Sequence, residues 1–248
     1  MTDHDPILAK IRKLLAKAED QAATEQEAEL YTAKAAALIA DYGIDQALLA
    51  EAVPGADVVG DRVVDLEAPY AKDKAELLAD VAVRLRCRAV LRRSRGGAGT
   101  IHSVHLFGHE SDLVRTDLLF TSLLMQSATW LSRTPVPHLD HPAAFRRSWM
   151  AGFRIAIANR LSDAERVAEE AAAHRTAASG RSTGLVLADR SAQVTQRVAE
   201  TYPRLGTARP RKLSGSGMSD GFDAGQRADL GGAAGGRFAG NRQSLPAS

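Results

Sequence analysis

Apolar residues recur every three or four positions in the first 45 residues, and this spacing constrains the fold more than any other feature. One apolar stripe covers residues 7–15 and follows Asp5 and Pro6, which favour the start of a helix. A second stripe covers residues 28–42, and Gly43 directly after it predicts the end of that helix. Together they predict a helical hairpin. Its apolar face needs a partner, either the rest of the chain or another molecule.

Patterning in the rest of the chain predicts a mixed module. Apolar spacing predicts helices over about 72–86, 111–131, 143–173 and 193–201. Alternation and turn residues predict strands over 87–93, 101–107 and 184–188, the first two forming an antiparallel hairpin. The expected fold is therefore α+β and mainly helical, with an N-terminal helical hairpin and a helical module around a small antiparallel β-hairpin.

Composition shifts predict four segments. A helical hairpin domain occupies 1–52, a linker 53–70, an α+β module 71–204, and a Gly/Ser/Arg-rich tail 205–248. The tail is expected to be largely flexible, including its GSGMSDG stretch. A short helix near 220–230 would dock through Phe222 and Leu230.

Overall composition excludes several classes of protein. With 45% hydrophobic and 25% charged residues, the chain is not disordered as a whole. No apolar run approaches the roughly 18 residues that a membrane span needs, and no secretory signal is visible, so a cytoplasmic location without membrane contact is expected. The single cysteine, Cys87, excludes an intramolecular disulfide, and its place on an apolar face predicts an inert thiol.

Charge is distributed unevenly, and basic residues concentrate in one short segment. Residues 1–60 hold 5 basic and 11 acidic residues, whereas residues 176–248 hold 10 basic and 5 acidic residues. Six arginines fall between residues 84 and 95, and Arg86, Arg88 and Arg92 would share one face of a strand. Such a row can bind phosphates through guanidinium groups, although it can equally be a solvated strand edge. The candidate nucleic-acid-binding residues are Arg84, Arg86, Arg88, Arg92, Arg93 and, on the first helix, Lys10, Lys13 and Lys17.

Histidines suggest a different chemistry. Imidazoles and carboxylates are ligands that a divalent metal such as zinc would use. The candidates are His102, His105, His109, His138 and His141. If residues 102–107 form a strand, however, His102 and His105 point to opposite faces, which argues against one shared metal ion. Motifs for nucleophilic catalysis are absent, with no GxSxG, SxxK or CxxC.

The N-terminal hairpin resembles an uncharacterised bacterial and phage family, domain of unknown function number 2786, over residues 7–45. The matching features are Lys10-Ile11-Arg12-Lys13-Leu14-Leu15, Ala18-Glu19-Asp20, Thr24 with Glu27 and Glu29, Ala33-Lys34-Ala35, Leu38 and Tyr42-Gly43-Ile44. Segments at 107–113, 145–153 and 223–231 are similar to the α/β module that often follows this hairpin. The resemblance implies a domain plan and a prokaryotic or phage context, and it implies no reaction.

These observations favour a non-enzymatic accessory protein of phage or mobile-element origin, without a cofactor. It would bind DNA or RNA through phosphate contacts of low sequence specificity, or a protein partner. One alternative is a metal-dependent hydrolase that uses the five histidines. Another is a structural protein that self-associates through the N-terminal hairpin.

Overall fold

The computed structural model describes residues 6–18, 25–53, 55–96, 99–177, 179–206 and 211–228. Within them lie seven helices: α1 (Pro6–Ala18), α2 (Glu25–Ala52), α3 (Ala71–Arg84), α4 (Glu110–Arg133), α5 (Pro142–Ala171), α6 (Thr183–Thr201) and α7 (Met218–Arg227). The strands are β1 (Val59–Leu66), β2 (Arg88–Gly96) and β3 (Gly99–His109). The expected α+β, mainly helical class is confirmed. Among these residues, no helix is both long enough and apolar enough to cross a membrane.

Helices α1 and α2 form the expected hairpin, and the rest of the chain covers its apolar face. Leu8, Ile11 and Leu15 of α1 are buried in the main core together with Ile39 of α2. Helix α2 does not end at Gly43, and that prediction is wrong. A Cβ atom at Gly43 would lie 2.5 Å from the guanidinium carbon of a buried arginine, Arg115 on α4. The glycine therefore allows a close approach between two elements and does not cap the helix.

The sheet has three antiparallel strands in the order β1-β3-β2, so both β1 and β2 are edge strands. Strands β2 and β3 form the predicted hairpin. Strand β1 lies inside segment 53–70, where a linker was expected. Its residues alternate between more buried and more exposed positions, which is typical of an edge strand with one face on a core.

The two faces of the sheet have different neighbours. Val104 and Leu106 of β3 point into the main core, which residues of α3, α4 and α5 complete. The aromatic pair Trp149 and Phe153 stacks in this core at 5.4 Å between ring centroids. Helix α6 lies against the opposite face, because the ring of Tyr202 at its end contacts His105 and Phe107.

Helix α6 replaces the strand predicted at 184–188. The Ser182 side chain accepts a hydrogen bond from the Leu185 amide and caps the helix at its N-terminus. Val186 is then buried against Ala47 of α2 and Ala177. A good cap and one tertiary contact outweigh the β-propensity of this short apolar run.

The predicted flexible tail is wrong for residues 211–228, which pack against α5. Helix α7 crosses α5 through small residues, with Gly221, Ala224 and Gly225 buried. Ser216 donates hydrogen bonds from its amide and hydroxyl to Asp140 at 3.0 and 2.8 Å. The expected helix near 220–230 is therefore present, but it docks through glycine and alanine, and Leu230 lies outside the described residues.

Candidate nucleic-acid interface

Strand β2 positions the arginine row along one exposed edge of the sheet. Arg88 lies opposite Phe107, and Arg92 lies opposite Ser103, so these two arginines share the α6 face. Arg93 and Arg95 point to the other face. All four are exposed. The pairing register of β2 with β3 therefore places Arg88 and Arg92 on one face, as expected.

Arg86 does not join that face, which corrects the expected row. It precedes β2 with a φ of 64°, a left-handed conformation that turns the chain from α3 into the strand. Its guanidinium bonds Glu165 at 2.7 Å and Glu169 at 2.9 Å on α5. Arg84 lies on α3 and pairs with Asp80 at 3.7 Å. Both arginines are therefore partly neutralised within the protein.

The arginines of β2 differ from these two because no anionic group in the described part of the chain pairs with them. Arg88 donates a hydrogen bond to the Thr195 hydroxyl at 3.4 Å. Within the described residues, Arg92, Arg93 and Arg95 make no ion pair or side-chain hydrogen bond. Exposed guanidinium groups without an internal partner retain all their donors for an external anion.

The predicted lysines lie on the solvent side of α1. Lys10, Lys13 and Lys17 are exposed, whereas Ile11 on the same helix is fully buried. The Lys17 ammonium lies 5.0 Å from the centroid of the Tyr31 ring. The three lysines thus form a basic stripe on the surface of α1.

The predicted histidines do not come together. His102 and His105 lie on opposite faces of β3, and His138 and His141 lie exposed in the loop before α5. No group of three or more His, Cys, Asp or Glu side chains in the described ranges could hold a metal ion. The geometry therefore offers no support for the metal hypothesis.

His105 takes part in a hydrogen-bonded chain that sequence patterning did not predict. Its Nε2 lies 2.9 Å from Asp61, and its Nδ1 lies 2.7 Å from the Tyr202 hydroxyl. The hydrogen bond from His105 lowers the pKa of Asp61, and a further one from Arg197 adds to the effect. With Asp61 ionised, Nε2 donates to the carboxylate, and in the neutral imidazole Nδ1 then accepts from the tyrosine hydroxyl. This chain ties β1 and β3 to the end of α6.

His109 holds the start of β1 in place. Its Nδ1 donates to the Asp57 carbonyl oxygen at 3.1 Å. The Asp57 side chain in turn accepts from Ser111 at 2.6 Å and from Arg190 at 2.6 Å. Burial opposes the charge of Asp57, but these hydrogen bonds outweigh it and lower the pKa of the carboxyl. A cleft of about 320 Å³ lies beside this group, between the end of α2 and α6.

A buried ion network joins α4 to α5 and α6. Arg115 is fully buried and bonds Asp112 at 2.8 Å and Glu165 at 2.6 Å. Burial disfavours its charge, but the two carboxylates outweigh burial and raise the pKa of Arg115. Arg190 reaches the second oxygen of Asp112 at 3.4 Å. These charged residues have a structural role. Sequence patterning did not predict it, because they lie on helix faces that the apolar pattern assigns to the core.

Comparison with known proteins supports only the N-terminal resemblance. Residues 7–46 match a family described as a protein of unknown function (DUF2786), which confirms the resemblance of the hairpin. No curated protein and no solved structure matches the chain. The match ends within α2, so the arginines of β2 lie outside it, and the similarity expected for the second module stays a prediction.

Proposed function

We propose that the protein binds nucleic acid through phosphate contacts made by Arg88, Arg92 and Arg93 on β2, with Arg95 as a further contact. One observation supports this proposal above all. These arginines are exposed and have no ionic partner among the described residues, whereas Arg86, two residues before the strand, pairs with two glutamates.

The chemistry of the row suits a polyanion. Guanidinium groups donate paired hydrogen bonds to phosphate oxygens, and phosphates recur along nucleic acid at a spacing that several arginines can use at once. Phosphate contacts carry no sequence information, so low sequence specificity is expected. Lys10, Lys13 and Lys17 form an exposed stripe on α1 that supplies additional positive charge, within a segment, residues 1–60, that is acidic as a whole.

Fluorescence anisotropy across salt concentrations tests the proposal. The triple variant Arg88→Glu, Arg92→Glu and Arg93→Glu should bind a labelled 20-nucleotide DNA more weakly. The slope of the logarithm of its binding constant against the logarithm of salt concentration should be shallower than that of the wild type by about 2–3. Each lost phosphate contact removes about 0.7–0.9 from this slope.

A charge-matched control separates the arginine row from net charge. Arg133, Arg146 and Arg204 are also exposed and make no ion pair within the described residues. Their triple change to glutamate alters net charge equally and should leave most of the slope unchanged. Equal losses in both variants, or equal slopes for the β2 variant and the wild type, would contradict the proposal.

The other hypotheses have less support. Leu8, Ile11 and Leu15 of the hairpin's apolar stripe are buried in the main core, so this described part of the stripe favours packing on its own chain over self-association. The metal-dependent hydrolase lacks a cluster of ligands among the described residues. A protein partner, a cytoplasmic location and a phage or mobile-element origin stay predictions.

A further inference from the structure

The hairpin of β2 and β3 extends beyond the rest of the sheet. Strand β1 ends opposite His102, so the last three residue pairs of the hairpin have no third strand beside them. We call residues 93–96 and 99–102 the ribbon tip. These last pairs are Ser94–Ile101, Arg95–Thr100 and Gly96–Gly99. All their members are exposed except the half-buried Gly96.

Water reaches both faces of the ribbon tip; its own arginines lie on one face, and Arg92, directly before the tip, lies on the other. Ser94 and Ile101 share the face of neighbouring Arg92, whereas Arg93 and Arg95 share the opposite face with Thr100. Ile101 is 43% exposed even though it is apolar. A two-stranded ribbon with arginines on both faces can contact anions on two sides at once.

The length of the ribbon tip is compatible with the depth of the major groove of B-form DNA. From the Arg93–His102 pair to the Gly96–Gly99 pair there are three steps, or about 10 Å at roughly 3.4 Å per residue. The major groove of B-form DNA is about 12 Å wide and 8.5 Å deep, and it admits a two-stranded ribbon. The minor groove, at about 6 Å, is too narrow without deformation. In duplex RNA the major groove is deep and too narrow for side chains to read.

We propose that the ribbon tip enters the major groove of double-stranded DNA. Resting on the proposed function, this inference adds the form of the nucleic acid and the groove. Arginines on the two faces contact the phosphate strands that border the groove. The exposed Ile101 adds an apolar side chain within the groove, where thymine methyl groups are available for contact.

Blocking one groove at a time tests this inference on the full chain. The probes are a 20-bp duplex DNA, the same duplex with glucosylated hydroxymethylcytosine, which fills the major groove, and the plain duplex saturated with netropsin, which fills the minor groove. Glucosylation should weaken binding by at least about fivefold, the loss expected when a groove contact is removed. Netropsin should change the affinity by less than about twofold.

A shortened variant links the effect to the ribbon tip. Removing Ser94, Arg95, Thr100 and Ile101 deletes two complete pairs and keeps the alternation of faces. The shortened protein should lose its sensitivity to glucosylation. The single change Arg95→Gln removes the same charge and should keep most of that sensitivity, and circular dichroism melting confirms that both variants fold.

The outcomes separate this inference from the proposed function. Equal affinity for plain and glucosylated duplexes, or tighter binding to single-stranded DNA or duplex RNA than to duplex DNA, overturns groove entry but leaves nucleic-acid binding intact. Failure to bind any of these probes at low salt overturns both proposals.

Discussion

Replacing Gly221 with alanine tests how α7 is held on α5. A Cβ atom at this position would lie 1.8 Å from the carbonyl oxygen of Trp149 and 2.6 Å from its carbonyl carbon. The facing position, Gly152, shows the same closeness, since its Cβ would lie 2.0 Å from the Met218 oxygen. All these neighbours are backbone atoms within helices, so no side chain can rotate away to make room.

The sign of the effect depends on two opposing contributions. Alanine is favoured over glycine within a helix by about 1 kcal/mol. Overpacking against atoms that cannot move costs typically about 1–3 kcal/mol, and the overlap at Gly221 is severe. Separating the helices to relieve the overlap would also expose Ala224, which is 2% exposed. We therefore expect a net loss of about 1–2 kcal/mol, which lowers Tm by about 2–8 °C for a chain of this size.

Thermal unfolding followed by circular dichroism measures this loss, and the chain offers a matched control. Gly184 lies in the first turn of α6, and a Cβ atom there would have nothing within 4 Å. Gly184→Ala should keep or raise Tm, because the helix gains propensity without a clash. If Gly221→Ala also keeps or raises Tm, the close packing of α7 on α5 is refuted.

Three further predictions concern buried groups. Arg115→Met leaves the buried carboxylates of Asp112 and Glu165 with less positive charge beside them. Urea denaturation should therefore show a loss of about 3 kcal/mol or more in the free energy of unfolding, and a loss under about 1 kcal/mol would contradict the network. Hydrogen bonds lower the pKa of Asp57 in the folded protein. Its ionised form therefore stabilises the protein above the unfolded pKa of about 3.9, and this stability is lost as pH falls through the folded pKa. Asp57→Asn should therefore flatten the pH dependence of unfolding below about pH 4, and an unchanged profile would count against this role. Burial raises the pKa of Cys87 to about 12. The thiol reagent dithiobis(nitrobenzoate) should therefore react with Cys87 only after denaturation, and rapid reaction with the native protein would show that the thiol is accessible.

Sequence patterning predicted the elements whose signals are local. The periodic apolar residues of α1 mark its buried face, and the burial of Leu8, Ile11 and Leu15 agrees with that pattern. The alternation around β2 predicted a strand and the exposure of Arg88 and Arg92. Side-chain periods of 3.6 and 2 follow from backbone geometry, so a single chain is enough to reveal them.

Patterning failed where a residue's role depends on a distant contact. Gly43 resembles a helix cap by its position, but its role is to admit Arg115 from α4. The glycines near residue 220 are typical of a mobile tail, yet they let α7 approach the backbone of α5.

Local patterning is enough to predict the helical hairpin, the fold class and the presence of a basic strand. Which arginines of that strand remain available depends instead on contacts between distant parts of the chain. Arg86 and Arg92 have the same chemistry and lie six positions apart in the sequence, but Glu165 and Glu169 on α5 neutralise the first and no described carboxylate approaches the second. An electrostatic partner is set by distance in space, which local sequence does not encode.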